Sequence, residues 1–318
     1  MPVTTISDRP VIAVVGPTAT GKSDLAVALA LALGGEIVNA DASALYRGMD
    51  IGTAKPTPAE RRGVPHHQID VLKVTQEASV AAYQQAARAD LRGIAARGRV
   101  PLLVGGSGLY VRAALDHLDI PPTDPTVRAA LEAELDRLGL PAMRARLAAV
   151  DPEAARRIEP NNARRIVRAL EVIELTGGPF SASMPPRRHL VPTRTIGLTL
   201  DRDRLDERIA ARTRRMWERG LVTEVEGLLP LGLEDGRTAR TALGYAQAIA
   251  QLRGTLTEAE AIEETIVATR RFARRQLSWF RPDERIVWLP ADAPDLLDRA
   301  LAVLRGLPAT SAAVPENG

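Results

Sequence analysis

Eight consecutive residues near the start of the chain have the types and spacing of a phosphate-binding loop and fit the pattern G-x-x-x-x-G-K-[ST] in full. In such a loop the glycines let backbone N–H groups converge on an anion, and the dipole of the following helix adds positive potential. Lys22 would bring a positive charge to phosphate oxygens, and Ser23 is a candidate Mg²⁺ ligand. The sequence therefore predicts a site for a di- or triphosphate, most often a nucleotide, formed by Gly16, Pro17, Thr18, Ala19, Thr20, Gly21, Lys22 and Ser23.

A carboxylate follows the second predicted strand, whereas none follows the third. A nucleotide hydrolase usually has a further strand that ends in an acidic residue ordering the metal. Here strand 100–104 runs into Gly105-Gly106-Ser107, and the acidic candidate is Asp41, after residues 36–40. Because the carboxyl ends of parallel strands face the ligand crevice, we expect Asp41 to lie near the phosphates. There it would order a metal or accept a proton from an attacking group; a turn or helix cap is the alternative.

The elements that must position these residues follow a strand–helix–strand pattern, which predicts a parallel sheet covered by helices. Strands are predicted at 10–15, 36–41, 100–104, 195–200 and 284–289. Helices are predicted at 22–33, 79–97, 203–219, 222–229, 240–252 and 258–280. From Pro125 to Thr176 the sequence is helical in period and contains no convincing strand.

The expected fold is therefore α/β, a P-loop NTPase-like parallel sheet flanked by helices with an inserted all-helical domain. We expect the catalytic core to comprise residues 1–120 and 196–305, and the helical insertion to comprise residues 121–195. The small and polar residues 306–318 predict a disordered tail.

Composition narrows the class of protein. Of the 318 residues, 45% are hydrophobic and 25% are charged, as in ordinary globular proteins. The absence of cysteine excludes disulfides, thiolate metal sites and cysteine nucleophiles. The longest apolar run, residues 25–33, is too short to cross a bilayer, so we expect a cytoplasmic protein with no membrane partner. The net charge is only +3, but the arginines of the chain form clusters. Such clusters indicate either a polyanion-binding surface or solvated helix faces.

Longer motifs carry a family resemblance. After GPTATGKS come DASALYRGMDIGTAKP (41–56), VPHHQIDVL (64–72) and LLVGGSGLYVRAAL (102–115). Further along are NNARRIVRALEV (161–172), LDERIAARTRRMWERGLVTEV (205–225), TALGYAQ (241–247) and TRRFARRQLSWFR (269–281). In type and order these segments resemble bacterial tRNA dimethylallyltransferases, also called tRNA isopentenyltransferases. The resemblance extends to about residue 290, and RGMDIGTAKP is very specific.

The resemblance implies a reaction. A dimethylallyl group would move from dimethylallyl diphosphate to N6 of the adenosine at tRNA position 37, next to the anticodon, and pyrophosphate would leave with Mg²⁺ as cofactor. By family position Asp41 accepts the proton, while Thr18 and Arg212 contact the diphosphate. Arg208 lies one helical turn before Arg212, so both can face the same anion. The helical insertion would embrace the tRNA anticodon stem-loop, and we expect a monomer.

The resemblance also implies RNA-binding residues. Asp41, Ala42, Ser43 and Ala44 would contact the tRNA. Family members commonly have D-S-x-Q-x-Y where this chain has Asp41-Ala42-Ser43-Ala44-Leu45-Tyr46, so Ala44 lacks the amide that would bind a base. Ser107 lies where the family contacts the target nucleotide, whose base we expect to flip out of the anticodon stack. The arginines expected on RNA phosphates are Arg128, Arg164, Arg165, Arg168, Arg240 and Arg275.

Other interpretations stay open. A relative that prenylates free adenylate needs neither a helical insertion nor arginine clusters. A small-molecule kinase would transfer a γ-phosphate, which the missing acidic strand end disfavours. A non-catalytic RNA-binding protein would not need Lys22 and Asp41 together. His66 and His67 are adjacent and diverge on a strand, so we interpret them as structural and not as a metal pair.

Overall fold

The computed structural model describes residues 10–183 and 185–306, which contain a parallel sheet in the strand order β3-β2-β4-β1-β5-β6. The strands are β1 (Val11–Val15), β2 (Gly35–Asn39), β3 (His66–His67), β4 (Val100–Gly105), β5 (Thr193–Thr199) and β6 (Ile286–Pro290). The expected α/β class with a parallel sheet is confirmed, because every neighbouring pair of these strands is parallel. The two-residue strand β3 was not predicted.

The described residues also form thirteen α-helices, and none of these is long and apolar enough to cross a membrane. The first group comprises α1 (Lys22–Leu33), α2 (Pro58–Arg61), α3 (Val80–Ala96) and α4 (Gly108–Leu115). The second comprises α5 (Pro125–Leu138), α6 (Leu140–Val150), α7 (Pro152–Arg157) and α8 (Ala163–Thr176). The third comprises α9 (Arg202–Glu218), α10 (Leu221–Leu228), α11 (Tyr245–Leu252), α12 (Glu258–Phe280) and α13 (Leu296–Leu304).

The central strand β1 is buried on both faces, which explains its continuous apolar sequence VIAVV. Val11, Ala13 and Val15 pack on the side of α3, α4 and α12. Ile12 and Val14 pack on the opposite side, against α1 and α13. Since side chains alternate along a strand, two hydrophobic layers share one five-residue segment.

The carboxyl ends of three neighbouring strands lie level with one another. Val15 of β1 pairs with Gly105 of β4, and Val104 pairs with Asn39 of β2. The loops that follow these strands therefore begin at the same edge of the sheet, where ligands bind in open parallel sheets.

Residues His117–Arg188 form a second compact unit, and the described residues on either side of them form the first. The second unit contains α5 to α8 around a core of Leu131, Met143, Leu147, Ile166 and Leu170. The sequence prediction placed the insertion at 121–195, whereas this unit starts at His117, and β5 already begins at Thr193. The predicted tail, residues 306–318, lies outside the described residues except for Gly306.

Candidate active site

The phosphate loop, residues 16–23, joins β1 to α1 as its motif requires. Gly16 has φ 133°, and a Cβ there would lie 2.5 Å from the carbonyl oxygen of Leu198 in β5, so only glycine fits. Gly21 has φ 82° and precedes α1 without any side-chain cap. The first N–H groups of α1 consequently have no side-chain acceptor and point their positive dipole at an incoming anion.

Lys22 folds back onto its own loop. Its Nζ donates to the carbonyl oxygen of Pro17 at 2.6 Å. Burial lowers the pKa of Lys22 to about 7; the Asp41 carboxylate opposes this effect, and the Arg212 guanidinium reinforces it. An anion in the loop would raise the pKa of Lys22 and so favour its charged form.

Thr18 is held by two helices that are distant in sequence. Its hydroxyl accepts a hydrogen bond from Nη2 of Arg212 on α9 at 2.6 Å. Its backbone N–H donates to Oε1 of Gln276 on α12 at 2.8 Å. Arg208 is half-buried one turn earlier on α9. The structure therefore places Arg212 directly on the phosphate loop.

Asp41 is fixed by the residue that ends β2. The Asn39 amide donates to the Asp41 carbonyl at 2.9 Å, and the Asp41 N–H donates to Asn39 Oδ1 at 3.0 Å. The Asp41 carboxylate accepts from the Ser43 N–H, two residues further on, at 3.0 Å. Tyr83, which is buried, donates its hydroxyl to the Asn39 carbonyl at 2.8 Å and anchors this strand end from below.

The charges of the two loops act on each other. The Asp41 carboxylate raises the pKa values of Lys22 and of Arg212, although burial lowers both overall. Two cations and one carboxylate therefore share the region above the ends of β1 and β2. Such a site can bind a polyanion on its cationic side and accept a proton on its acidic side.

The remaining residues expected to contact RNA at this edge differ in exposure. Ser107 is partly exposed, and its hydroxyl accepts from the Ala42 N–H at 3.4 Å, which ties the loop after β4 to the loop after β2. Ala42 and Ser43 are also partly exposed. Ala44 is only 6% exposed, and its carbonyl accepts from the Asp70 N–H. Ala44 thus contributes to packing under the loop.

Sequence reasoning missed the side chains that hold residues 41–56 in shape. Lys55 is buried, and its Nζ donates to the Tyr46 carbonyl at 2.8 Å and to the carboxylates of Asp50 and Asp70, each at 2.6 Å. Glu224 of α10 accepts from the N–H groups of Asp50 and Ile51 at 3.0 and 2.8 Å. The conspicuous sequence RGMDIGTAKP was the available signal, but its partners lie elsewhere in the chain.

The arginines expected on RNA fall into two groups in the helical unit. Arg128 and Arg168 both donate to the Glu171 carboxylate, which is fully buried, so each has a structural ion pair. Arg164 and Arg165 are exposed in the first turn of α8. Cations are unfavourable beside the positive end of a helix dipole unless an anion approaches, so this pair is the better placed for a phosphate.

Two further arginines lie in the first unit. Arg240 is exposed and donates to the Glu234 carbonyl at 3.3 Å. Arg275 is exposed on α12, with its guanidinium 5.8 Å from the centre of the Phe272 ring. It lines an open surface hollow together with Arg271, Arg274, Ser278 and Trp279.

The adjacent histidines have partners within the fold. His66 Nδ1 bonds to the Val64 carbonyl at 2.8 Å, and His67 Nε2 bonds to the Glu36 carboxylate at 2.8 Å. In the part of the chain that the structure describes, no group of three or more His, Cys, Asp or Glu side chains is arranged to hold a metal ion.

Comparisons with known proteins match nearly the whole chain. A family model described as IPP transferase matches residues 44–283. The tRNA dimethylallyltransferase of Thermobifida fusca is 65% identical, over 92% of this chain and 94% of its own length. The tRNA dimethylallyltransferase of Kineococcus radiotolerans is 60% identical, over 96% of this chain and 98% of its own length.

A solved structure agrees with these sequence matches. The full-length tRNA isopentenylpyrophosphate transferase of Bacillus halodurans is 39% identical, with a TM-score of 0.69. The alignment covers 94% of this chain and 95% of that one. The similarity therefore includes both the sheet with its strand-end loops and the helical unit.

Proposed function

The chain belongs to the IPP transferase family, and from this membership we propose how the site at the strand ends works. The chain transfers a dimethylallyl group to tRNA. We propose in addition that the donor is dimethylallyl diphosphate, that the acceptor is N6 of adenosine 37 in the anticodon stem-loop, and that pyrophosphate leaves intact. The protein would act as a monomer.

One observation carries this proposal: Arg212 contacts Thr18 of the phosphate loop, and Asp41 acts on the charges of both Arg212 and Lys22. The cations thus surround a diphosphate site, and a carboxylate lies beside it. A kinase acting at this loop would usually have an acidic residue at the end of a second strand, where this chain has Gly105 at the end of β4.

The leaving group explains the cationic side of the site. The bond between the allylic carbon and the bridging oxygen breaks, and its electron pair stays on the diphosphate. Negative charge therefore grows on the oxygens nearest the Lys22 ammonium, the Arg212 guanidinium and the N–H groups of the loop. These cationic and N–H groups are fixed before the reaction. They therefore stabilise the transition state more than they stabilise bound dimethylallyl diphosphate.

The acceptor explains the acidic side. N6 of the adenine attacks the allylic carbon, and a nitrogen–carbon bond forms as the carbon–oxygen bond breaks. The nitrogen then carries an extra proton, which the Asp41 carboxylate accepts. Asn39 fixes the Asp41 backbone, and the Ser43 N–H binds the Asp41 carboxylate, so both are held in place in the free protein.

Mg²⁺ fits the oxygen donors at this site. The Ser23 hydroxyl is exposed in the first turn of α1, and Mg²⁺ prefers hydroxyl, carboxylate, phosphate and water oxygens. Ser23 and the diphosphate itself would hold the ion, with Asp41 as the nearby carboxylate. When bound, the ion supplies further positive charge to the leaving diphosphate.

Exposed arginines supply a surface for RNA phosphates. We propose that Arg164 and Arg165 contact the RNA backbone from the helical unit, and that Arg240 and Arg275 do so from the first unit. Phosphate contacts of this kind position RNA without reading its sequence. Ser107 would contact the target nucleotide after its base has left the anticodon stack.

The alternative acceptor is a free adenylate, and one experiment separates the two. The protein is incubated with labelled dimethylallyl diphosphate and, separately, an anticodon stem-loop RNA with adenosine at position 37, AMP or ATP. We expect label on the stem-loop RNA and one pyrophosphate released for each group transferred. Label on AMP with none on the RNA would overturn the proposal.

A further inference from the structure

Gln276 is a polar residue in an apolar stripe. It lies on α12 between Ala273 and Leu277, both buried, and it is itself only 5% exposed. A primary amide buried in such a setting is costly unless both of its ends are hydrogen-bonded. Both ends are bonded here, and both partners lie at the candidate active site.

The Gln276 amide bridges two loops. Its Oε1 accepts from the Thr18 N–H at 2.8 Å, and its Nε2 donates to the Gly106 carbonyl at 3.0 Å. Thr18 belongs to the phosphate loop after β1, and Gly106 precedes Ser107 in the loop after β4. Because β1 and β4 are neighbouring strands, one side chain spans the diphosphate side and the nucleotide side of the site.

The bridge leaves no room for a side chain at position 106. A Cβ on Gly106 would lie 2.2 Å from Gln276 Nε2 and 3.2 Å from the Gly16 carbonyl oxygen. The missing side chain of Gly106 is therefore the space that the glutamine amide fills. On the other loop, Thr18 makes two hydrogen bonds: its N–H donates to Gln276, and its hydroxyl accepts from Arg212.

We propose that Gln276 is a positioning residue that sets the separation between the allyl donor and the adenine acceptor. This inference rests on the proposed function. Gln276 reaches the substrates only through the loops that bind them, so its loss changes the alignment of the reacting atoms and leaves RNA affinity intact. Displacement of reacting groups by about 1 Å costs up to roughly 100-fold in rate.

Three variants test the proposal. Gln276→Met keeps the length of the side chain and removes both hydrogen bonds. Gln276→Glu keeps an acceptor for the Thr18 N–H, but as a carboxylate it repels the Gly106 carbonyl. The control is Gln251→Met on α11, which removes the acceptor of a hydrogen bond from Trp217 Nε1 of α9 at 2.8 Å.

The first readout is the single-turnover rate at saturating donor and RNA. We expect Gln276→Met to react roughly 10- to 100-fold more slowly than wild type, with its RNA dissociation constant within about twofold. At pH 6, the Gln276→Glu rate relative to wild type should exceed the Gln276→Met rate, because burial beside the Gly106 carbonyl raises the pKa of the new carboxyl and its protonated form can donate to Gly106 again. A Gln276→Met rate within about twofold of wild type, or no advantage of Gln276→Glu at pH 6, would overturn the proposal.

The second readout needs no RNA and so separates this inference from the proposed function. Backbone hydrogen exchange of the phosphate loop, measured in the free protein, should be faster in Gln276→Met than in wild type and unchanged in Gln251→Met. Wild-type protein that fails to prenylate RNA would contradict the proposed function alone. Unchanged exchange in Gln276→Met would overturn the bridge itself.

Discussion

The Arg212 guanidinium donates a hydrogen bond to the Thr18 hydroxyl across 2.6 Å, although 194 positions separate the two residues in the sequence. This contact brings α9 onto the phosphate loop and makes Thr18, an unspecified position of the general motif, part of the site. In the proposed reaction, the Arg212 guanidinium would stabilise the negative charge that develops on the leaving diphosphate.

Arg212→Ala should therefore lower kcat/KM for the donor by roughly 10²- to 10³-fold, because one fixed donor to the developing charge is lost. Thr18→Val should have a smaller effect, since it removes only the hydroxyl that orients the guanidinium. Arg204→Ala on the same helix is the control, because Arg204 is exposed and pairs with Asp292. Steady-state kinetics measure all three variants, and an Arg212→Ala enzyme with wild-type kcat/KM would remove Arg212 from the site.

The lowered pKa of Lys22 predicts that the protein takes up a proton when dimethylallyl diphosphate binds. Its pKa is about 7 in the free protein, so at pH 8 the amine is mostly neutral, whereas a bound diphosphate raises its pKa and restores the charge. Binding at pH 8 should take up about one proton per site, and binding at pH 6 should take up almost none. Calorimetry in buffers of different ionisation enthalpy measures the uptake. If binding heats at pH 8 do not depend on the buffer, or if Lys22→Met retains the uptake, the assignment to Lys22 is wrong.

The arginine pair at the start of α8 predicts a change in salt dependence. Replacing Arg164 and Arg165 with alanine should weaken binding of the anticodon stem-loop and reduce the slope of log affinity against log salt by about 1.5. The melting temperature should stay unchanged because both side chains are exposed. An unaltered slope would remove the pair from the RNA-binding surface.

Replacing Arg128 should affect stability more than RNA binding, in contrast to replacing Arg164 and Arg165. Arg128→Ala removes one partner of the buried Glu171 carboxylate and should lower the melting temperature. If Arg128 acts mainly through this ion pair, the salt dependence of RNA binding should change less than in the Arg164 and Arg165 double variant. Thermal unfolding and RNA titrations on the two proteins make the comparison.

Asp116 lies outside the candidate active site, and its replacement should destabilise the fold. It is 1% exposed, and its carboxylate bonds to His189, Arg285 and Arg112. Burial raises its pKa, but these hydrogen bonds outweigh burial and hold the pKa well below the usual 3.8. Asp116→Ala should lower the free energy of unfolding by about 3–5 kcal/mol at pH 7, because it removes the buried carboxylate that binds Arg112, Arg285 and His189.

The sign of the pH dependence follows from the lowered pKa. The unfolded Asp116 binds more protons than the folded one below about pH 5, so its contribution is complete above that pH and is lost as the pH falls. The difference between wild type and Asp116→Ala should therefore shrink in acid. Arg299→Ala, which breaks an exposed pair with Asp295, is the control and should unfold like wild type. Equal stabilities of wild type and Asp116→Ala at pH 7 would contradict the prediction.

Local patterns predicted most of the fold. The motif at residues 16–23 and the β-branched runs specify strand, loop and helix through short-range geometry, and α1 begins and ends where expected. The strand β3 was missed because two residues carry no periodicity, and its pairing with β2 depends on the rest of the sheet. The level carboxyl ends of β1, β2 and β4 follow from parallel pairing and could be anticipated.

The site was less predictable where contacts join distant residues. Gln276 lies 258 positions from Thr18, and only its polar character in an apolar stripe hinted at a buried partner. Glu224 and Lys55 shape the loop after β2 through contacts that spacing cannot reveal. Arg128 and Arg164 looked alike in the sequence, since the ion pair that distinguishes them becomes visible only when α5 packs on α8.

Asp41→Asn tests the central claim most directly, because it asks whether the carboxylate accepts the proton while the phosphate loop holds the donor. Asparagine keeps the size of the side chain and cannot accept the proton. With saturating donor and RNA, we predict a fall in single-turnover rate of about 10²- to 10⁴-fold, with the affinity for dimethylallyl diphosphate unchanged. A rate close to that of the wild type would contradict the account.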